Sequence, residues 1–389
     1  MHDAFLKDCQ ELIRRPSESG HEEAVATYIK GVMERFGYDK VWIDELGSVV
    51  GVIDGGGSRT VLLQGHMDTV GVVDKKAWRF DPYAAMVDDG RIYGRGASDM
   101  KCALMAMVYG AAALAAHDRR PHGTIAVAGV VCEEEFEGVA QGHVLDQVKP
   151  DIVIIGEASE LKLNIGQRGR AEIVVKTFGK SAHSSNPSAG INAVKKMYPL
   201  LAALEEMPLP RDPFLGSAVM ELTDIHSEPY PGASVIPALC RVTLDRRLLP
   251  GETEASVLAP IRDIIAALQE KDADFSAEVS LASAEKESYT GRTISATRFF
   301  PAWQFPHDAP FVTKAKAALV AAGLSGDLSH YKFCTDGSQS AGVRGIPTMG
   351  FGPSSESLAH VKDEYVSIAQ LEKARKGYTS LIDALLESV

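Results

Sequence analysis

Cysteine is scarce in this chain: five residues, Cys9, Cys102, Cys132, Cys240 and Cys334, with no Cys-x-x-Cys pair. An odd, scattered set excludes a disulfide framework and a thiolate zinc site, and it suits a reduced, cytoplasmic protein. Net positive charge is lacking too: 40 Lys and Arg stand against 52 Asp and Glu, a formal charge of −12. Generic binding to nucleic acid or an anionic membrane is therefore not expected. A local basic pocket for an acidic small molecule stays open. Long apolar runs are also missing. The longest uncharged stretch, Cys102 to His117, is shorter than the roughly 20 residues of a membrane helix. The opening Met1-His2-Asp3-Ala4-Phe5-Leu6-Lys7-Asp8 has acids where a secretory signal needs bases. Three nucleotide or serine signatures fail as well. Gly179-Lys180-Ser181 lacks the required Gly at position 174, which is Val, and Gly94-x-Gly96 meets Asp99 where a third Gly belongs. No Gly-x-Ser-x-Gly occurs.

What is present is an ordinary globular composition, 45% hydrophobic and 24% charged, over 389 residues. That length leans towards two domains. Ser19-Gly20-His21-Glu22 reads as a capping box before a helix carrying Val25, Tyr28, Ile29, Val32, Met33 and Phe36 on one face. Apolar strands are expected at 49–53, 60–63, 124–131, 151–155 and 346–351, with a buried Ala-rich helix from Met100 to Ala116. Gly55-Gly56-Gly57-Ser58 reads as a hairpin turn. Uninterrupted apolar strands alternating with helices imply an α/β fold: a mainly parallel mixed sheet flanked by helices. The stretch 170–285 has another rhythm, β-α-β-β-α-β, that of a ferredoxin-like α+β unit. The expected organisation is a discontinuous catalytic domain, 1–169 and 286–389, with 170–285 inserted as a lid. Phe299, Phe300, Trp303, Phe305 and Phe311 read as core where the chain returns from the insertion.

Ligands in parallel α/β sheets bind beyond the carboxyl ends of the strands. Just there the sequence places His66 and Asp68, Cys132-Glu133-Glu134-Glu135, Glu157 and, after the last strand, His360. Asp99 precedes the buried helix in Gly94-Arg95-Gly96-Ala97-Ser98-Asp99-Met100-Lys101. Buried acids need a partner or a metal, and imidazole with carboxylate is a donor set for Zn²⁺ or a similar divalent ion in a hydrolytic site.

Taken jointly, His66-x-Asp68, Asp99, the Glu133-Glu134 pair, Glu157 and His360 resemble the M20 group of co-catalytic metallopeptidases. That group includes acetylornithine deacetylase, succinyl-diaminopimelate desuccinylase, aminoacylase-1 and glutamate carboxypeptidase, and the resemblance covers nearly the whole chain. It implies a zinc-exopeptidase-like fold with two divalent metal ions about 3.5–4 Å apart, bridged by a carboxylate and a water. Zinc is first in line, with Mn or Co as alternatives. By resemblance, Asp99 is the bridge, His66 and Glu157 hold one metal, and Glu134 and His360 hold the other. Glu133 is the general base, and Asp68 fixes the His66 imidazole. The group usually has Asp-Glu-Glu where this chain has Cys132-Glu133-Glu134-Glu135, so a register shifted to Glu134 and Glu135 stays open. His183 resembles a lid His that reaches a neighbouring active site in dimeric members and stabilises the oxyanion. Arg247, Gly337 and Ser338 resemble contacts to a substrate carboxylate.

The resemblance therefore implies a homodimer through the lid and a small substrate bearing a carboxylate. The reaction is hydrolysis of an amide-type C–N bond, by an N-acyl-amino-acid deacylase or a dipeptidase or carboxypeptidase. Carbamoyl or other non-peptide C–N hydrolysis is the alternative on the same site. A binding protein without catalysis would lack a ligand or the base, and none is missing. Singly, each residue has a plainer reading. Asp99 could be a helix cap, Glu133 to Glu137 a solvated acidic turn, Arg246 and Arg247 surface ion-pair partners. His2, His21, His117, His122, His143, His226, His307 and His330 match no motif.

Overall fold

The computed structural model describes residues 2–115, 120 and 122–387. Ala116 and His117, named above, lie outside them. The chain divides into two units, Met1–Gln167 with Glu285–Ala296 and Trp303–Val389, and Arg168–Ala284 with Thr297–Ala302.

The first unit is built on a mixed sheet of nine strands among the described residues. Its middle is parallel: Thr124–Val130, Thr60–His66, Ile152–Ile155 and Thr348–Gly350 lie side by side in that order. These strands are almost wholly buried and mostly apolar, as in sheets covered on both faces, where alternation has no solvent side to serve. Val61, Leu62, Leu63, Val127, Val153 and Ile154 have no exposure; a Leu62→Ala cavity would cost about 2–5 kcal/mol. The flanking strands run antiparallel: Val49–Asp54 against Thr124–Val130, and Leu163–Gln167 against Thr348–Gly350 and Trp303–Gln304. Helix Lys101–Ala115 is buried along Lys101–Ala112. A Cβ at its Gly110 would lie 3.0 Å from Tyr378 Cβ, so glycine sets how closely helix Ile368–Leu386 approaches.

Three local expectations fail for physical reasons. Gly55–Ser58 is no hairpin turn: Thr124–Val130 lies between the two strands it joins and pairs with both. The Ser19–Glu22 capping box is absent, since Glu22 itself occupies the N-cap of helix Glu23–Arg35 without a side-chain cap. Both side chains have better partners elsewhere, described below. The aromatic run is not one core. Phe299 and Phe300 pair with Ala171 and Arg170 in the second unit. Trp303, Phe305 and Phe311 stack in the first, at centroid spacings of 5.8 and 5.1 Å.

The second unit is an antiparallel sheet in the order Val219–Glu228, Leu239–Leu248, Gly169–Phe178, Ser276–Leu281. Helices Ala193–Glu205 and Glu254–Lys271 complete a β-α-β-β-α-β sequence. Ile173, Val175, Leu200, Val242 and Ile261 form its core. Here a capping box does exist, between Thr253 and Ser256. Among the described residues no helix is long and apolar enough to cross a membrane.

Candidate metal centre

The parallel strands end at one rim of the first unit's sheet, and the chain delivers its acids and imidazoles there. His66 is the last residue of its strand, Glu133 and Glu134 follow the Thr124–Val130 strand, and Glu157 follows Ile152–Ile155. The carboxylate of Asp99 lies between two imidazoles: Oδ1 is 2.9 Å from His66 Nε2 and Oδ2 is 3.0 Å from His360 Nε2. Glu157 Oε1 lies 3.3 Å from His66 Nε2, and Glu134 Oε2 lies 2.8 Å from His360 Nε2. Glu133 Oε2 is farther, 4.0 Å from His66 Nε2. His66, Glu133 and Glu157 could hold one cation, as could His66, Asp99 and Glu134. Glu135 turns away to an ion pair with Lys286.

The electrostatics explain what such a cluster requires. Burial above all raises the carboxyls: Glu133 goes well up, while Glu134 and Glu157 are pushed to about 7, helped by the charge on Asp99. The imidazoles answer in kind. Asp99 and then Glu134 lift His360 to about 10. Burial works against a charged His66, but Glu157, Asp68 and Asp99 outweigh it and hold the ring well above its ordinary value. Burial likewise disfavours the Asp99 anion, and the two imidazoles overcome it. Among the described residues no Lys or Arg pairs with Asp99, Glu133, Glu134 or Glu157. Positive charge is thus what the centre lacks, and its donors are carboxylate oxygens and imidazole nitrogens. This set fits divalent cations of the zinc type. Thiolate plays no part: among the described residues no cysteine joins the groups that could hold a cation, and all five cysteines are buried and outside any disulfide.

A set of buried groups holds the donors in place. His66 Nδ1 donates to the Asp68 carbonyl at 2.9 Å, which leaves Nε2 for the centre. The Asp68 carboxylate, 3.5 Å from Nδ1, is occupied mainly by the amides of Glu133 and Glu134, at 3.0 and 3.1 Å, and by Ser19 Oγ at 2.7 Å. Glu364 has no exposure and accepts from the amides of Gly96, Ser98 and Asp99 at 3.1, 2.8 and 3.1 Å, and from Arg95 at 2.7 Å. It therefore fixes the loop that carries Asp99. Lys101, equally buried, donates to the Arg15 carbonyl and Ser17 Oγ at 3.0 and 3.2 Å. Ser17 Oγ in turn donates to the Met67 carbonyl at 2.7 Å. Asp336 accepts from the Gly138 amide at 2.5 Å and from Gln64.

Glu22, Glu364, Lys101 and Asp336 were not singled out for these roles in the sequence. Glu22 was assigned to a cap. The others serve mainly backbone groups, which carry no side-chain signature.

The remaining candidates have these surroundings. The Gly337 amide donates to Thr335 Oγ1 and the Ser338 amide to the Thr335 carbonyl, both at 3.0 Å, so both amides are already engaged. A Cβ at Gly337 would lie 2.6 Å from Trp303 Nε1. In the second unit, Arg247 is paired with Asp245 at 2.8 Å. His183 is exposed, and its Nδ1 accepts from the Ser185 amide at 3.2 Å, leaving Nε2 as the protonated nitrogen. Cys132 Sγ lies 3.6 Å from Glu22, and burial followed by that charge pushes the thiol up, so it is a donor and not a nucleophile.

The chain is 37% identical over 369 residues to the uncharacterized protein YgeY of Escherichia coli K12, covering 92% of this chain and 88% of that one. It is 28% identical over 350 residues to acetylornithine deacetylase of Vibrio atlanticus, covering 84% of each. The fold matches Bacillus subtilis YXEP, described as a dinuclear metal binding peptidase from the M20 family. The TM-score is 0.73 at 14% identity, over 100% of this chain and 99% of that one. The profile of peptidase family M20/M25/M40 matches residues 62–384, most of the chain and all of the centre's donors. With carboxylate oxygens and imidazoles gathered at the strand ends and this match, the chain belongs to peptidase family M20/M25/M40 and is a hydrolase of C–N bonds.

Proposed function

We propose that the chain is a di-metal hydrolase that cleaves an amide-type C–N bond in a small, carboxylate-bearing substrate, with an N-acyl amino acid as the first class to test. The observation that carries this reading is the Asp99 carboxylate, which offers one oxygen towards His66 and the other towards His360. In this reading Asp99 bridges the two sites, His66 and Glu157 complete one, and His360 and Glu134 complete the other. Two divalent cations held there supply Lewis acidity towards a carbonyl and lower the pKa of water. Glu133 takes the proton of the attacking water on its carboxylate and returns a proton to the leaving nitrogen. Burial suits it to this task, because the charged form is costly and the carboxylate is a stronger base for it. The Asp68 carboxylate orients Glu133 and Glu134 through their amides while its carbonyl orients His66.

The deacylase class is favoured by the acetylornithine deacetylase relative. Arg247, Gly337 and Ser338 are candidates for the substrate carboxylate, which would have to displace Asp245 from Arg247. Five cysteines without a disulfide support a cytoplasmic setting. A homodimer is supported by the second unit alone. Its edge strand Val219–Glu228 has no partner on its outer side among the described residues, and it exposes Leu222 and Ile225. His183 would then serve a neighbouring copy, and light scattering that finds a fully active monomer overturns this.

The central test combines metal analysis with a panel of N-acetyl, N-succinyl, N-carbamoyl and dipeptide substrates. About two equivalents of Zn, Mn or Co and turnover of an N-acyl amino acid are expected. Glu133→Ala should lower kcat by about 10²- to 10⁴-fold with metal content intact. A loss of less than about tenfold contradicts the assignment of Glu133 as base.

A further inference from the structure

Three successive backbone amides turn the chain out of the Thr124–Val130 strand, and each donates to a buried carboxylate. The Cys132 amide donates to Glu22 Oε1 at 3.0 Å, the Glu133 amide to Asp68 Oδ1 at 3.0 Å and the Glu134 amide to Asp68 Oδ2 at 3.1 Å. Cys132 has a φ of +55°. Residues with a Cβ seldom occupy that left-handed region; Asn and Asp do so most readily because their side chains bond local backbone. A thiol has no such means, and the Cys132 thiol instead faces Glu22 Oε1 at 3.6 Å. Glu22 has no exposure, and the same oxygen accepts the Gly20 amide at 3.0 Å. Ser19, one residue earlier, donates to Asp68 at 2.7 Å. The segment 19–22 thus ties both carboxylates into a single brace beneath the turn.

We infer that Glu22 is a positioning residue for Glu133, holding Cys132 in the left-handed turn that presents the Glu133 side chain to the centre. This rests on the reading of Glu133 as base and extends it to a residue outside the ligand set. A helix-capping role does not account for Glu22, whose side chain makes no cap hydrogen bond. Packing alone would require no acceptor on that side chain.

The test uses the metal-loaded, full-length enzyme and four variants: Glu22→Ala, Glu22→Asp, Glu22→Gln and Glu22→Ala combined with Cys132→Gly. Displacing a base by about 1 Å can cost on the order of 10²-fold. Glu22→Ala is therefore expected to lower kcat at least about tenfold with KM and metal content little changed, and to speed hydrogen exchange of the Cys132 amide. Glu22→Asp, a milder change that withdraws the acceptor by one methylene, moves both readouts the same way and serves if Glu22→Ala does not fold. Glu22→Gln keeps an oxygen for the amide and stays near wild type. Adding Cys132→Gly to Glu22→Ala restores part of kcat, because glycine adopts positive φ freely. Wild-type kcat in folded Glu22→Ala or Glu22→Asp overturns the inference. So does Glu22→Gln as impaired as Glu22→Ala, or a double variant no better than the single. Glu133→Gln separates the two readings. If it keeps full kcat the base assignment falls, while exchange at Cys132 still decides whether Glu22 holds the turn.

Discussion

The two units treat charge in opposite ways. In the second, charges meet opposite charges near the surface: Lys176 with Glu278 at 2.9 Å, Arg170 with Asp245 at 2.9 Å, Arg247 with Asp245 at 2.8 Å. Its one deeply buried cation, Arg246, meets Glu252 at 2.6 Å. In the first unit, Asp99, Glu133, Glu134 and Glu157 converge with only two imidazoles to balance them. Desolvating acids without matching cations destabilises a fold. The second unit thus balances its charges in pairs, and the first carries a local excess of acids that protonation or bound cations would relieve. At these strand ends the needs of a metal centre and of stability pull apart.

The sharpest way to break that contrast is to remove the shared carboxylate. Asp99→Ala should lower kcat/KM by about 10³-fold or more and bring metal content below two equivalents, since both sites lose a donor. Glu252→Gln, which unbalances the buried pair of the second unit, should cost stability and leave metal content untouched. If Asp99→Ala keeps both metals, Asp99 is not the bridge. Chelation should follow the same line. Removing metal should destabilise wild type, by about 3 kcal/mol for each site whose free metal had stood at 100 times its Kd, and leave Asp99→Ala far less affected.

How much of this could be read from sequence depends on what kind of signal each feature leaves. Parallel strands buried on both faces leave uninterrupted apolar runs, and residues that follow such runs fall at the ligand end of the sheet. That is why His66, Glu133, Glu134, Glu157 and His360 could be picked out before any coordinates, and the structure brings them together with Asp99. Gly55–Ser58 misled because a glycine run between two strands looks local, whereas the strand that separates them begins at Thr124. Ser19 and Glu22 misled because a Ser-x-x-Glu spacing is the same whether the partners are helix amides or Asp68 and Cys132. Glu364 left no trace, since an isolated acid gives no hint that the Gly96–Asp99 amides will surround it.

A smaller effect sharpens the contrast within the first unit. Burial, then the charge on Asp68, raises Glu22 from 4.5 to about 7. Between those values the folded chain keeps a proton that the unfolded chain releases, so stability falls as pH rises through the window. The loss amounts to about 3 kcal/mol once the folded carboxyl ionises. Glu22→Gln cannot ionise, so metal-free Glu22→Gln should melt progressively higher than metal-free wild type as pH goes from about 4.5 to 7.5. A constant gap across that range would mean that Glu22 is charged in the fold throughout.

The smallest effect belongs to the second unit. Lys176 and Glu278 face each other across adjacent antiparallel strands, with side chains 35% and 52% exposed. Water already screens both partners, and two long side chains lose freedom in pairing. Lys176→Ala should therefore cost less than about 1 kcal/mol and shrink further in high salt. The same salt should leave the Glu22→Gln gap nearly intact, because a carboxyl with no exposure is beyond the reach of mobile ions. Melting both variants at low and high ionic strength compares the units directly. A Lys176→Ala loss as large and as salt-resistant as the Glu22→Gln gap would show that surface pairing, and not burial, governs charge in this protein.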